Sequence, residues 1–411
     1  MKIIQLADIN PSPDVPVACR KHIDYIDTAS VVEGRLCCVQ RLAGAFPSRA
    51  QREIRANDIL ISSVRPNLRH NYFVSQNENC MIASSGFIHI RVNNPEKVSP
   101  QFLYYFLTSP TQVQRYVKIA DSSQSAYPSF NKDVIEGLEF PDLPLPTQLR
   151  IAGVLGSIDE KIELNRKKIA ELEALAKTIY DYWFVQFDFP DATGRPYKSS
   201  GGKMVWNGQL KREVPEGWGM GTIGELGEIV SGGTPSTSNA DYWSSKGIAW
   251  ITPKDLSVTS NKYIRHGEHD ISENGLLNSS AQLMPRKSVL LSTRAPIGYI
   301  AVADCDLCTN QGFKSIVPNK NFGSEFIYYT VSAMIPFVKT LGVGSTFAEV
   351  SKRSLSSVQL IIPPLQVCDR FDDVVSSIGN ERLIGELEIE NLEELRDALL
   401  PLLMNGQVVV G

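Results

Sequence analysis

Ile59-Leu60-Ile61-Ser62-Ser63-Val64-Arg65-Pro66, at residues 59–66, returns at residues 289–296 as Val289-Leu290-Leu291-Ser292-Thr293-Arg294-Ala295-Pro296. In both places an apolar run ends on Ser and is followed shortly by an Arg and a Pro. The match extends outward on both sides. Leu6-Ala7-Asp8-Ile9 returns as Leu226-Gly227-Glu228-Ile229, and Gly86-Phe87 as Gly312-Phe313. Phe102-Leu103-Tyr104-Tyr105 returns as Phe326-Ile327-Tyr328-Tyr329. Ser125-Ala126-Tyr127 returns as Ser345-Thr346-Phe347, with Lys132 answered by Lys352. The offset stays at about 220 residues, far beyond solenoid periods of about 20–50. A whole domain and its following helix are therefore duplicated, which predicts a pseudo-symmetric molecule meeting a ligand at two places.

Ile59–Val64, Phe87–Val92, Ser288–Ser292 and Lys314–Val317 read as strands; Gln101–Thr108, Gln112–Lys118 and Ser324–Ser332 read as helical. The fold class expected is α+β, with two similar α/β modules. Each module ends in prolines (Pro141, Pro144 and Pro146; Pro363-Pro364), which suit a helix start. A long amphipathic pattern follows each. In the first, Ile158, Ile162, Ile169, Leu172, Leu175 and Ile179 recur at mostly helical spacing; in the second, Ile378, Leu392, Leu395 and Leu399 do. With no internal proline in either pattern, helices at about 151–185 and 367–403 are expected, each about 50 Å long at 1.5 Å per residue. One apolar stripe on so long a helix requires a partner. The other copy is the nearest one, giving an antiparallel coiled-coil spacer; separate packing of each helix on its own module is the alternative. Residues 186–217, with Gly194, Pro196 and Gly201-Gly202, read as a linker. The expected boundaries are 1–145, 146–190, 191–363 and 364–411.

A chain of 411 residues, 43% hydrophobic and 21% charged, has the composition of a globular protein with two or three cores. It has no apolar run long enough for a membrane span and no signal-peptide h-region near Met1. Seven scattered cysteines fit a reducing compartment, so a cytoplasmic location is expected. The net charge of −4 disfavours a chain that coats nucleic acid indiscriminately, but local fields matter more than the sum. Residues 365–405 hold 3 Lys/Arg and 10 Asp/Glu, a net of −7 that exceeds the whole deficit, so the modules themselves are slightly basic.

Motifs for catalysis are missing: there is no phosphate-binding Gly-Lys-Ser/Thr loop, no His-Glu-x-x-His and no nucleophile elbow. Cys305-x-x-Cys308 lacks the second pair a zinc site needs, and the five histidines are dispersed, so no metal site is expected. Arginine is concentrated between residues 35 and 69: Arg35, Arg41, Arg49, Arg52, Arg55, Arg65 and Arg69, with no lysine. The planar guanidinium fork reads guanine edges and phosphates bidentately, which makes Arg41, Arg49, Arg52, Arg55, Arg65 and Arg69 candidate DNA contacts. A solvated arginine-rich surface is the plain alternative. In the second module the candidates are Thr234, Lys254, Arg286, Lys287 and Arg294. Gly232-Gly233 before Thr234 fits either a backbone approach to phosphate or a plain turn.

The order of motifs resembles one family. The second module opens Gly217-Trp218, then Leu226-Gly227-Glu228-Ile229, Ser231-Gly232-Gly233-Thr234-Pro235-Ser236, Tyr242-Trp243 and Ile248-Ala249-Trp250-Ile251-Thr252-Pro253-Lys254-Asp255-Leu256. The helical regions carry Pro144-Leu145-Pro146-Thr147-Gln148-Leu149-Arg150-Ile151-Ala152 and Ile158-Asp159-Glu160-Lys161-Ile162. This is similar to the DNA-sequence specificity subunit of type I restriction–modification systems, over nearly the whole chain. The resemblance implies two target recognition domains that read the halves of a bipartite, asymmetric double-stranded DNA site. It implies a coiled coil that sets the gap between the halves and docks two methyltransferase subunits, which restriction subunits join. The chain itself has no active site in this family. S-adenosylmethionine, ATP and Mg are expected on the partner subunits and none on this chain. The first module lacks the Gly-Gly-Thr-Pro stretch, so phosphate contacts there do not carry over between modules. A two-module coiled-coil scaffold that binds protein rather than DNA is the competing reading.

Overall fold

Ile59–Ser62 carries three apolar residues before Ser62 and is buried on both faces, as a strand inside a two-sided core must be. In the computed structural model, which describes residues 1–32, 34–75, 81–122, 128–259, 261–343, 348–404 and 407, this strand organises the first of two compact units. The repeat partners Ser125-Ala126-Tyr127 and Ser345-Thr346-Phe347 lie outside the described residues. One unit comprises Met1–Leu164 with Ile389–Gly411; the other is Asn165–Glu388.

In the first unit one sheet runs in the order Ala7–Ile9, Phe87–Val92, Ile59–Ser62, Asn71–Phe73. A second sheet runs Gln40–Ala43, His22–Ile26, Ile82–Ser84, Ala50–Glu53, with His22–Ile26 and Ile82–Ser84 parallel. The helix Pro100–Thr108 starts at Ser99, whose hydroxyl accepts from Phe102 N–H at 3.3 Å, and has proline in its first turn. It buries Phe102, Leu103 and Phe106 with Ile59, Ile61 and Ile90. The long helices join this core through Ile151, Ala152 and Leu155 on one side and Leu400 and Leu403 on the other.

The second unit repeats the main sheet, while its second sheet differs at the edges: the pairing of Ala50–Glu53 on Ile82–Ser84 is reduced to the bridge Met284–Leu307, and Trp243–Ser244 is added beyond His269–Ile271. Its main sheet runs Gly227–Ser231, Lys314–Pro318, Val289–Thr293, Ile297–Ala303, with Tyr263–Ile264 added at the end. The parallel pairs Tyr25–Ile82 and Ile26–Ala83 return as Trp250–Cys308 and Ile251–Thr309. The first strand of each pair, His22–Ile26 and Ile248–Ile251, is followed by a capping box, Asp27 with Ser30 and Thr252 with Asp255. The backbone bond from Ser63 N–H to Gly86 O (3.0 Å) returns from Thr293 to Gly312 (2.8 Å), and that from Ile3 to Leu138 (3.0 Å) returns from Ile223 to Val358 (2.9 Å). Bridges Val64–Ser129 and Arg294–Glu349 keep the alignment of residues 59–66 on 289–296. Arg294 corresponds to Val64, and Ala295 to Arg65; the last two share a left-handed backbone, with φ 44° and 48°.

The helices are longer than the periodicity indicates. The central helix spans Leu145–Tyr180 and continues as a π-helical turn over Asp181–Val185; the C-terminal helix spans Leu365–Met404 and contains Pro401 in its last turn. They run antiparallel. In the second unit Asn165 donates to Glu388 at 2.8 Å, Lys168 to Glu381 at 2.6 Å and Arg382 to Glu173. In the first, Arg396 donates to Asp159 at 2.9 Å. The apolar stripe is only partly the seam. Ile158 and Ile162 are buried, and Ile169, Leu172, Ile179, Ile378, Leu392 and Leu399 are half-buried. Leu175 and Leu395 are about half exposed (50% and 47%), so they do not form it. Asn165, Arg382 and Glu386 are buried in their stead, a polar interior that apolar spacing does not report.

Side chains of the long helices hold each unit through the main chain. Buried Gln148 accepts from Ser99 N–H at 3.0 Å and donates to the carbonyls of Lys97 and Leu143. Asp372 accepts from the N–H groups of Gly323, Glu325 and Phe326 at 3.2, 3.0 and 3.1 Å. Glu386 accepts from those of Lys262 and Tyr263 at 3.0 and 3.3 Å. The segment 186–217, expected as a linker, is folded onto the second unit instead. Phe187 and Phe189 are buried against Trp218, and Met204–Asn207 pairs with Arg212–Pro215.

Candidate nucleic-acid interface

The arginine run does not form one patch. Arg41 lies on Gln40–Ala43, at one edge of its sheet, and Arg52 lies on Ala50–Glu53, at the other. Two strands separate them, so the edges are about 14 Å apart at about 4.8 Å per strand. Arg41 is exposed and paired with Asp24 on the neighbouring strand at 3.0 Å, and Arg55 is paired with Asp14. Arg49 is exposed with no ion-pair partner among the described residues, and its carbonyl accepts from Ser85 N–H at 2.7 Å. Arg52 is half-buried, its Nε enclosed without a hydrogen-bond partner among the described residues. Burial holds its guanidinium below the ordinary arginine range.

Arg65 and Arg69 flank the turn Pro66–Leu68, and both are exposed and left-handed (φ 48° and 50°). Few non-glycine residues adopt this conformation. Here it is held by Arg65 N–H donating to Pro128 O at 2.9 Å and Arg69 N–H to Pro66 O at 3.1 Å. Two exposed arginines thereby flank one tight corner. The segment carrying Arg55 is anchored from below by a buried cluster that the charge count missed. Asp58 accepts from Arg55 N–H at 2.8 Å, from Arg91 at 2.6 and 2.9 Å, and contacts His89 Nε2 at 2.7 Å. Burial opposes ionisation of Asp58, but the Arg91 and His89 contacts outweigh it and the carboxyl lies below its usual range.

In the second unit Lys254 is exposed and paired with Glu268 at 2.5 Å. Arg286 donates from Nε and Nη2 to Asp304 at 3.0 and 2.7 Å, Lys287 is exposed and left-handed (φ 74°), and half-buried Arg294 faces Glu349 at 3.8 Å. Thr234 donates to the Gln311 side chain. The glycine pair before it is not a phosphate cradle. A Cβ on Gly232 would stand 2.0 Å from Asn310 O, and one on Gly233 2.3 Å from the Ser280 backbone. Gly233 N–H is already donated to Thr309 O at 2.9 Å. These glycines serve close packing of the chain on itself. Cys308 is buried, and its thiol is pushed up to about 12 by that burial; Cys305 Sγ lies 3.2 Å from Arg265 O.

Two modules that share the order of four main-sheet strands, each with exposed basic residues and each packed on both long helices, set the terms for comparison with known proteins. The profile of the type I restriction modification DNA specificity domain matches residues 25–174 and 215–388. The chain belongs to the type I restriction–modification DNA specificity family. It is 26% identical to the type I restriction enzyme HindI specificity subunit of Haemophilus influenzae, over 94% of each chain. It is 36% identical to the MjaIX specificity subunit of Methanocaldococcus jannaschii over 45% of each. Among solved structures, the type I restriction–modification S subunit from M. genitalium shares the fold at TM-score 0.60 and 14% identity, covering 98% of this chain and 95% of that one. As a specificity subunit the chain is a non-catalytic, DNA-recognising component of a restriction system. Among the described residues no helix is long and apolar enough to cross a membrane.

Proposed function

We propose that each module reads one half of a bipartite, asymmetric double-stranded DNA site, and that the paired helices set the unspecified gap between the halves. The observation that carries this is the duplication of the main sheet and of its linking backbone bonds in two modules whose side chains differ. Arg65 stands where Ala295 does, and Val64 where Arg294 does. Equal frames with unequal surfaces suit two different half-sites. The helices also dock two methyltransferase subunits, with restriction subunits joining that core in the cytoplasm. S-adenosylmethionine, ATP and Mg belong to those partners.

Arg49, Arg65, Arg69, Lys287 and Arg294 are assigned to the DNA together with Arg41, Arg55, Lys254 and Arg286; of these, Arg41, Arg55, Lys254, Arg286 and Arg294 reach it by releasing a carboxylate. Mapping methylated bases in cells with and without this chain tests the reading. The expected result is a two-part motif with a fixed gap that disappears with the chain. A contiguous or palindromic motif overturns it.

A further inference from the structure

Two buried or half-buried ion pairs join the helices, and both have the same polarity. Asp159 and Glu173 lie on the central helix; Arg396 and Arg382 lie on the C-terminal one. This runs against the overall charge, because the C-terminal helix is the acidic one. Of the 3 Lys/Arg in residues 365–405, two are spent on these contacts, and the third, Arg370, donates to Pro190 O. Each acid also accepts from a tyrosine of its own unit: Tyr105 Oη to Asp159 at 2.6 Å and Tyr329 Oη to Glu173 at 3.0 Å. Those tyrosines end the repeated motifs Phe102–Tyr105 and Phe326–Tyr329.

The spacing decides what the pairs do. Asp159 to Glu173 is 14 residues and Arg382 to Arg396 is 14, two heptads on each helix. An antiparallel slip of one heptad would therefore break both pairs together. Slipped one way, Asp159 would face Ile389 and Glu173 would face Val375; slipped the other way, they would face Leu403 and Ile389. Arg166 would meet Arg382 in the first alignment and Arg396 in the second. Every one-heptad misalignment sets carboxylates against aliphatic side chains and arginine against arginine, at the cost of unpaired charge. The pair Lys168–Glu381 has the opposite polarity, but both side chains are more than half exposed, where ion pairs contribute little.

We propose that Asp159–Arg396 and Glu173–Arg382 form a register code that admits one alignment of the central helix on the C-terminal helix and ties it to each module through Tyr105 and Tyr329. The four charged residues position the helices; none reads DNA. The test uses the full chain with a photo-crosslinking amino acid at Lys168, and mass spectrometry identifies the residue it captures. The unaltered chain captures near Glu381. D159R and R396D alone shift or split capture toward residues near 374 or 388. The reciprocal D159R/R396D chain returns it to Glu381, because the Tyr105 hydroxyl accepts from Arg as well as donating to Asp. Single variants that capture only near Glu381 at full yield overturn the proposal, as does a reciprocal chain that fails to restore capture. Should D159R not fold, the reciprocal chain decides: a folded chain capturing near Glu381 supports the code, and an unfolded one overturns it. The assay needs neither DNA nor partner subunits, so it fails or succeeds independently of target recognition.

Discussion

Lys262→Met should destabilise the second unit by about 3–5 kcal/mol, the cost of leaving one member of a buried ion pair alone. Lys262 is 1% exposed; its ammonium donates to Glu325, itself 5% exposed, and lies 4.4 Å from the ring centres of both Tyr328 and Tyr329. Burial holds the lysine below its ordinary range despite Glu325, so the pair is of small net worth intact. Methionine fills a similar volume and, among the described residues, leaves Glu325 with the Tyr263 hydroxyl at 2.9 Å. Removing both charges in K262M/E325M should therefore recover most of the loss, to within about 1.5 kcal/mol of the unaltered chain, as volume-conserving swaps allow. The assay is built into the sequence. All 5 tryptophans (Trp183, Trp206, Trp218, Trp243 and Trp250) fall in residues 165–388, so intrinsic fluorescence in urea follows the second unit. With an m-value near 3 kcal/mol/M, a loss of about 3 kcal/mol lowers the midpoint by about 1 M. A K262M midpoint within about 0.2 M of the parent, or a double variant no better than the single, would refute the reasoning.

Arg49→Ala and Arg69→Ala should each weaken DNA binding by the assembled complex by about 1–3 kcal/mol if they touch bases. Arg41→Ala, whose guanidinium is held by Asp24, should do less; equal effects by fluorescence anisotropy would remove the distinction. Burial lifts the Asp372 carboxyl to about 6, against the backbone N–H groups that pull it down. Because the folded value lies above the unfolded one of about 3.9, its contribution is complete below pH 4 and lost as pH rises to about 6. That loss is up to about 3 kcal/mol at 1.36 kcal/mol per unit. Asp372→Asn should flatten the thermal stability profile between pH 4 and 6; an unchanged slope contradicts this. Burial pushes the Cys308 and Cys368 thiols up to about 12. Mapped alkylation at pH 8 should spare both while exposed Cys19, Cys37 and Cys38 react.

Local pattern carried the frame. Phe87–Val92 forms as read, and Ile59–Ser62 and Lys314–Pro318 differ from expectation only at their ends. Runs of apolar residues between turn signals leave few alternatives at that length. The arginine surface was less legible because residues 40–43 and 50–53 are neighbours in sequence but opposite edges in space, separated by strands from residues 22–26 and 82–84. The seam was misread at Leu175 and Leu395 because apolar spacing ranks leucine above Asn165, Arg382 and Glu386. Mutual pairing makes it possible to bury those polar groups. Gly232-Gly233 was ambiguous because the need for close approach reads alike whether the neighbour is a phosphate or the chain's own backbone.

Gln148, Asp372 and Glu386 grip peptide groups rather than side chains. Every residue but proline offers the same N–H, so the bonds to Ser99, Phe326 and Tyr263 do not depend on the side chain there; Gly323 is the exception, because a Cβ on it would stand 2.4 Å from the Asp372 carboxylate. Surfaces that read DNA must change when the target changes, and a clamp keyed to side chains would have to change with them. A clamp keyed to the main chain does not. The lettering of a module's exposed surface can be revised while its binding to the spine stays as it was; a proline at a gripped position, or any side chain at Gly323, would tear the page out.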